Sequence, residues 1–220
     1  MVDLKANLQS VKERIAKACA KVGRKAEEVT LLAVTKNVPP SIIREAFNLG
    51  IRRFGENRVQ EAEEKIRLLA GLQPRPTWHL VGHLQSNKVK TALELFDIIQ
   101  SVDSVNLAES MSRRAQRKIP VLLQVNVAGE ASKSGFSLEG FWKAYEAISC
   151  LPGLEVRGLM TIAPIDEAEE VRPVFRKLRE LGDKLCLKEL SMGMSDDFEV
   201  AIEEGATIVR IGRAIFGERR

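Results

Sequence analysis

Apolar and polar residues alternate along this chain in two rhythms, one of helical period and one of short apolar runs. From Leu4 to Ala18, apolar residues recur at three- and four-residue spacing and Gly23 follows, which predicts an amphipathic helix over residues 3–22. Beyond it, apolar runs of strand length are separated by helical segments. The predicted strands are 30–35, a brief run from Phe54, 77–82, 97–103, 120–127, 155–161, 187–193 and 206–212.

Each predicted strand is followed by a helical segment, which makes eight strand-then-helix units. This alternation is typical of a parallel sheet covered by helices. We therefore predict an α/β protein with a closed (β/α)8 TIM barrel, and an open doubly wound sheet is the alternative. Two of the predicted helices end near Gly50 and at Leu69. Four others start at Ser104, Ser137, about Glu167 and Asp196, and the last helix is very short.

No linker, low-complexity tract or change of composition marks a boundary within the 220 residues, of which 45% are hydrophobic. A chain of this size and composition can bury one substantial core. We predict a single domain, 1–220, with the N-terminal helix in 1–23 and the barrel in 30–217.

Charge and cysteine content narrow the class of protein. The 34 Lys and Arg against 30 Asp and Glu give a net charge of +4 without a basic tract, which does not indicate nucleic acid binding. No apolar stretch approaches the ~20 residues that cross a bilayer, and the N-terminus lacks the apolar core of a signal peptide. Cys19, Cys150 and Cys186 are far apart and suggest neither a disulfide framework nor a zinc site. We expect a cytoplasmic protein without membrane contact.

Candidate chemistry lies at the carboxyl ends of the strands, where such barrels carry their functional groups. Lys36 ends the stretch "LLAVTK" (31–36). Among apolar neighbours its amine loses hydration, which disfavours the charged form and leaves a neutral amine able to form a Schiff base. The alternative is that Lys36 simply extends to solvent. The other residues predicted at strand ends are Glu56, Asn57, His79, His83, Asp103, Asn126, Met160, Thr161, Ser191, Ser195, Arg210, Gly212 and Arg213.

Two late segments, "SMGMSDD" (191–197) and "VRIGRAIFG" (209–217), place small residues where strands meet helix starts. Barrels commonly bind phosphate there. Alternatively, Ser195 is a helix N-cap and Gly212 forms a tight turn. A Schiff-base lysine after the first strand and a phosphate site after the last two are adjacent in a closed barrel. Together they predict a pocket for a phosphorylated aldehyde.

Seven blocks, in register from about residue 31 to 217, resemble the pyridoxal 5′-phosphate homeostasis protein family: "AVTK", "FGENRVQE", "WHLVGHLQSNK", "SKSGF", "GLMTIAP", "LSMGMSDD" and "VRIGRAIFG". The resemblance implies a barrel like the N-terminal domain of bacterial alanine racemase, with pyridoxal 5′-phosphate (PLP) bound as an internal aldimine on Lys36. It also implies phosphate contacts from Ser191, Ser195, Gly212 and Arg213. The family often has Thr at the last position, so a hydroxyl contact is not expected there and only the backbone N–H would serve.

The resemblance further implies that Asn57 and His79 lie beside the cofactor ring. Arg210 has a physical argument of its own, because a guanidinium only donates hydrogen bonds. If it faces the pyridine nitrogen, that nitrogen must stay an unprotonated acceptor, and the ring is a weak electron sink. The alternative for Arg210 is a surface ion pair with a nearby Glu.

The resemblance favours a carrier that buffers or delivers PLP, with apo PLP-dependent enzymes as partners, over an enzyme. Alanine racemases use a tyrosine from a second, all-β domain, whereas the only tyrosine here, Tyr145, is predicted within a helix and this chain ends at Arg220. We expect a monomer without catalytic residues. A PLP-dependent amino-acid racemase is one alternative. An aldolase-type Schiff-base lyase is another, with Glu56, His79 or His83 as its base.

Two further features are left without a function. His79 and His83 are four residues apart, but the strand context and the lack of a third ligand predict no metal site. The blocks around Lys88, Lys133 and Ser134 mark either a partner or second-ligand surface or solvated loops.

Overall fold

Eight parallel strands close into a barrel in which each strand pairs with the next along the chain and the last pairs with the first. The structure, a computed structural model, describes residues 3–130 and 133–218. The closed barrel confirms the predicted (β/α)8 fold and rules out the open sheet. The strands are β1 (Thr30–Val34), β2 (Arg53–Glu56), β3 (Thr77–Leu80), β4 (Ile98–Val102), β5 (Ile119–Gln124), β6 (Leu154–Met160), β7 (Glu189–Ser191) and β8 (Ile208–Ile211).

Helices follow the strands and cover the outside of the barrel. In the described ranges they are α1 (Leu4–Lys21), α2 (Pro40–Asn48), α3 (Val59–Leu68), α4 (Val89–Leu95), α5 (Val105–Arg114), α6 (Leu138–Ser149), α7 (Arg172–Lys184), α8 (Phe198–Glu203) and α9 (Arg213–Phe216). The extra helix α1 packs against α8 and α9, and its N-terminus is capped by Asp3, which accepts a 2.9 Å hydrogen bond from the N–H of Ala6. This confirms the N-terminal helix predicted over 3–22.

The start of α7 differs from the sequence prediction, which placed it at about Glu167. The helix begins at Arg172, and the preceding residues form turns such as the 3.0 Å bond from the N–H of Glu170 to the carbonyl of Glu167. Pro173 is the reason, because a proline has no N–H to donate and is accommodated only in the first turn of a helix. The charged run before it therefore belongs to the loop after β6.

Two separate apolar clusters stabilise the fold. The larger lies between the barrel and its helices and includes Phe54 and Trp78, whose ring centroids are 5.3 Å apart. The smaller contains five buried residues from five different strands or their ends. Successive side chains of a strand point to opposite faces, so this second cluster fills the barrel interior. Its members are Leu32, Val81, Leu122, Met160 and Ile208.

Residues 3–130 and 133–218 contain neither a membrane-spanning helix nor a cluster of metal ligands. None of the helices there combines the length and the apolar character that a membrane crossing requires. No group of three or more His, Cys, Asp or Glu side chains in these ranges is arranged to hold a metal ion.

Candidate functional site

The backbone on both sides of Lys36 is fixed at the carboxyl end of β1. The N–H of Thr35 donates to the carbonyl of Gly55 at 2.8 Å, and the N–H of Asn37 donates to Oε1 of Glu61 at 2.6 Å. Asn37 has a φ of 57°, in the left-handed region that Asn tolerates better than most residues. Lys36 itself is half-buried. The root of its side chain is therefore held firmly at the barrel mouth.

A buried ionic network lies directly beneath this segment. The Lys65 ammonium donates to the carbonyl of Thr35 at 2.6 Å, to Oε1 of Glu56 at 2.8 Å and to Oε1 of Glu61 at 2.6 Å. Burial raises the pKa of Glu56, although its bonds to Lys65 and Thr35 act in the opposite direction. Lys65 could not be identified from the sequence alone, because a lysine in an amphipathic helix is usually a solvated residue. The network ties β2 and α3 to the residue before Lys36.

A chain of hydrogen bonds crosses the barrel interior from β8 to β3. Nη1 of Arg210 donates to Oγ of Ser191 at 2.9 Å, and that hydroxyl donates to Oε1 of Gln100 at 2.7 Å. Nε2 of Gln100 then lies 2.8 Å from Nδ1 of His79. Arg210 also donates to the carbonyl of Thr161 at 2.8 Å. We call Arg210, Ser191, Gln100 and His79 the interior relay.

The direction of the interior relay follows from its charged end. The Arg210 guanidinium only donates, so Ser191 accepts from it and passes its own proton to Gln100. The amide N–H of Gln100 then donates to Nδ1 of His79, which requires a neutral imidazole protonated at Nε2. Burial lowers the pKa of His79 to about 4, and the charge of Arg53 adds to this effect. His79 is therefore neutral at pH 7, and its buried Nε2 has no partner among the described residues.

Arg210 is buried, with 5% of its surface exposed. Burial lowers its pKa to about 10, so the guanidinium stays charged at neutral pH. The alternative of a surface ion pair with a nearby Glu is wrong, because Arg210 takes part in none of the ion pairs within the described ranges. Sequence reasoning missed Gln100, although a polar residue inside the apolar run "DIIQSVD" was a usable signal in a strand buried on both faces.

The two late segments meet after β7 and β8. Oγ of Ser195 accepts a 3.2 Å hydrogen bond from the N–H of Ala214, so the two loops are adjacent, as the sequence suggested. The N-cap alternative for Ser195 is wrong, because the residue that precedes α8 is Asp197, whose Oδ1 accepts from the N–H of Met194 at 2.5 Å.

The other small and charged residues of these loops have identifiable positions. Gly212 is the residue that precedes α9, and the exposed Arg213 side chain pairs with Asp196. Its guanidinium is thereby held at the surface, which leaves the backbone N–H as the group of Arg213 available to a ligand. Gly193 has a φ of 89°, and a Cβ there would lie 2.6 Å from Cβ of Ala201. The loop after β7 is therefore closely packed.

Lys36 and Asn57 lie together in a cavity of about 520 Å³ between the loops that follow β1, β2 and β3. Oδ1 of Asn57 is buried without a hydrogen-bond partner in the described part of the chain. His79 is not among the lining residues, since its ring is held in the interior relay. His83 does line the cavity, and its Nδ1 lies 2.8 Å from Oδ2 of Asp103.

The residues left without a function have different surroundings. Lys88 lines the same cavity as Lys36. Lys133 donates to the carbonyl of Ala163 at 2.9 Å, so it links the loops after β5 and β6. Ser134 is exposed, and its carbonyl accepts a 2.9 Å bond from Nε2 of Gln124.

The site combines groups suited to a ligand with both an aldehyde and an anionic group. Lys36 supplies an amine after β1. The loops that carry Ser195 and Gly212 follow β7 and β8, and β8 is the neighbour of β1 in the closed barrel. Arg210 lies in β8 next to β1, where its Cα is paired with that of Leu32. Within residues 3–130 and 133–218, Arg210 donates from two of its three guanidinium nitrogens, and a guanidinium has five N–H groups. A further donor can therefore serve a ligand.

The chain is similar to known proteins over nearly its whole length. The family model described as alanine racemase, N-terminal domain, matches residues 5–220. A protein of Aquifex aeolicus (strain VF5) named pyridoxal phosphate homeostasis protein is 48% identical over 223 residues, covering 97% of either chain. The structure of PipY from Synechococcus elongatus PCC7942 with PLP bound has a TM-score of 0.81 and 42% identity, and covers 92% of this chain and 100% of PipY. Alanine racemase from Corynebacterium glutamicum shares the fold, with a TM-score of 0.70 at 19% identity over 96% of this chain and 61% of the racemase.

Proposed function

Since the chain belongs to the alanine racemase N-terminal domain family, and within it to the pyridoxal phosphate homeostasis proteins, we propose that it binds PLP and buffers or delivers this cofactor without turning over a substrate. The observation that carries the proposal is the half-buried Lys36 at the barrel mouth, on a backbone held by Glu61 and the Lys65 network. PipY, which is similar over nearly the whole chain, was solved with PLP bound.

We assign the contacts to PLP as follows. Lys36 forms the Schiff base with the aldehyde carbon, and Asn57 lies beside the ring because it shares the cavity with Lys36. Ser195 and the backbone of Gly212 and Arg213 hold the phosphate, because backbone N–H groups of adjoining loops suit an anion.

Ser191 and His79 act from beneath the cofactor. The Ser191 hydroxyl accepts from Arg210 and donates its only proton to Gln100, so it has no donor left for a phosphate oxygen. We therefore assign Ser191 to positioning Arg210. The resemblance had implied a contact between Ser191 and the phosphate instead. His79 belongs to the same relay; its buried Nε2 has no partner among the described residues, and the residue does not line the cavity beside Lys36.

Arg210 determines what the bound cofactor can do. PLP supplies an electrophilic carbon and an electron-withdrawing ring, which is strongest when its pyridine nitrogen is protonated. A guanidinium at that nitrogen only donates and cannot share a proton with it. The ring would then bind well and activate substrates poorly, which suits a carrier. Arg210 stays charged because its pKa, although lowered to about 10, lies well above neutral pH.

The alternatives separate on specific residues. For a racemase, Tyr145 lies in α6 and packs against Phe141, with ring centroids 6.1 Å apart, so it is a packing residue and not a second acid/base. For a lyase, Glu56 is committed to Lys65 and Thr35, and His79 to Gln100. His83 remains the one candidate base beside Lys36 in that cavity. We propose a monomer in the cytoplasm, with apo PLP-dependent enzymes as the acceptors.

Titration of the apo-protein with PLP tests the proposal. We expect a Schiff-base absorbance band for the native chain and none for Lys36→Ala. Lys118→Ala is the matched control, because Lys118 is exposed and precedes β5 at the opposite end of the barrel. Borohydride reduction and peptide mapping should place the pyridoxyl group on Lys36. An adduct on another lysine, or a band that survives in Lys36→Ala, would refute the site.

Racemization assays with alanine and serine on the PLP-loaded protein test the carrier assignment. We expect no turnover above that of free PLP. Turnover that disappears in Lys36→Ala would instead establish the racemase alternative. Size-exclusion chromatography with light scattering checks the monomer, and a dimer mass would contradict it.

A further inference from the structure

The cavity beside Lys36 extends away from the late segments, toward α3 and the loop after β3. It has a volume of about 520 Å³. Cavities of roughly 300–1,000 Å³ accommodate small-molecule ligands. We call it the basic cleft. It is lined by Lys36, Asn57, Arg58, Val59, Gln60, Gly82, His83, Gln85 and Lys88.

The lining of the basic cleft contains basic side chains and no carboxylate. Arg58 and Lys88 are cations, and Lys36 is the amine assigned to the Schiff base. Within residues 3–130 and 133–218, neither Arg58 nor Lys88 belongs to an ion pair. Cations that converge on a concave surface attract an anion, because the low-dielectric walls strengthen the field.

Two acids beside the lining residues are already engaged. Glu61 accepts from Lys65 and from the N–H of Asn37. Asp103 lies against Nδ1 of His83 at 2.8 Å. The charge of Arg58 also acts on Glu61, but the two form no ion pair in the described part of the chain, so Arg58 and Lys88 keep N–H donors for a ligand.

The walls of the basic cleft are also closely fitted. A Cβ on Gly82 would lie 2.2 Å from the carbonyl oxygen of Asn57, so the loops after β2 and β3 approach each other more closely than any other residue would allow. Backbone contact of this kind fixes the spacing between the two sides that carry Arg58 and Lys88. A ligand therefore meets two walls whose backbone spacing is preformed, which lowers the entropic cost of binding.

We propose that the basic cleft binds a phosphate-bearing small molecule, at a site distinct from the late-strand loops assigned to the phosphate of PLP. A phosphate dianion matches the two cations Arg58 and Lys88 better than a carboxylate does, and Arg58 offers the two parallel N–H donors that phosphate oxygens accept. The amides of Gln60 and Gln85 add neutral donors. The cleft has room for more than the phosphate group, so the ligand is an organic phosphate. Its occupant lies beside the amine of Lys36.

Inorganic phosphate is the probe, because it tests the charge arrangement without reacting with any lysine. The apo-protein, labelled with ¹⁵N, is titrated at constant ionic strength. We expect saturable shifts of the backbone amides of Asn57, Arg58, Gly82 and His83. Any binding at the late-strand loops is followed separately through Ser195, Gly212 and Arg213, so the two sites are distinguished in one experiment.

Two double variants decide the outcome. Arg58→Gln with Lys88→Gln should weaken phosphate binding at the cleft by about tenfold or more, because it removes two charge-assisted interactions. Arg67→Gln with Lys90→Gln is the matched control, since it removes the same charge from exposed positions on α3 and α4 outside the cleft. Cleft amides that do not shift, or shifts that both double variants reduce equally, would overturn the proposal. PLP absorbance is measured separately, so loss of the Schiff-base band with persistent cleft shifts would refute the proposed function alone.

Discussion

His79 should make the free energy of unfolding fall steeply in mild acid. Its side chain is buried, with 2% of the residue exposed, and burial lowers its pKa from 6.5 to about 4. The hydrogen bond from Gln100 acts in the same direction, because Nδ1 can accept it only while the imidazole is neutral. In the unfolded chain the same imidazole is free to take up a proton at its ordinary pKa.

The sign and size of the effect follow from linkage. Above pH 6.5 neither state binds the proton, and the contribution of His79 to stability is fully present. As the pH falls from 6.5 toward 4, the unfolded chain becomes protonated while the folded chain does not, so the free energy of unfolding decreases. The interval between the two pKa values corresponds to about 3 kcal/mol, of which about 2 kcal/mol is lost between pH 7 and about pH 4.5.

Urea unfolding of the apo-protein at these two pH values measures the loss. His79→Asn keeps an acceptor for Gln100 but cannot titrate, so its loss should be smaller than that of the native chain by about 2 kcal/mol. The chain has only two histidines, so His83→Gln leaves a single imidazole signal for a direct NMR titration. Equal losses in the native chain and His79→Asn, or an NMR midpoint near 6.5, would refute the reasoning.

Three further predictions concern the packing around the site. Lys65→Met should destabilise the fold by about 3 kcal/mol and weaken PLP binding, because it leaves Glu56 and the carbonyl of Thr35 without the Lys65 ammonium. An unchanged PLP affinity in a spectroscopic titration would contradict this. Gln100→Leu should cost about 2 kcal/mol and let the His79 proton distribute between both ring nitrogens, which ¹⁵N shifts detect; a retained single tautomer would contradict the relay. Gly193→Ala should be about 1–3 kcal/mol less stable in thermal unfolding than Gly205→Ala. Both glycines have positive φ, but a Cβ on Gly193 meets Ala201, whereas a Cβ on Gly205 meets only the flexible Arg179 side chain. Equal stabilities of the two variants would count against this.

The fold was predictable from the sequence because strands buried on both faces appear as uninterrupted apolar runs. The start of α7 was misplaced because the prediction used helical periodicity and did not take Pro173 into account. The missing N–H of this proline decides where the helix can begin. At the site, Lys36 and the late segments were identified because they end strands. Lys65 and Gln100 were not, since their importance depends on partners far apart in sequence, up to the 91 residues that separate Gln100 from Ser191.

The interior relay shows how one buried cation can determine the protonation of distant groups. Arg210 has only donors, which forces Ser191 to accept from it and to donate onward, and so fixes the orientation of the Gln100 amide. That orientation in turn requires the neutral, Nε2-protonated form of His79. A reversed amide would present its N–H₂ group to Ser191, whose hydroxyl proton would then lose its acceptor at Gln100 inside the barrel, an arrangement that costs about 1–3 kcal/mol. If Arg210 faces the cofactor nitrogen as we propose, the weak activation of the ring is maintained by three side chains on three other strands, and a substitution at any of them should change the absorbance of bound PLP before it changes its affinity.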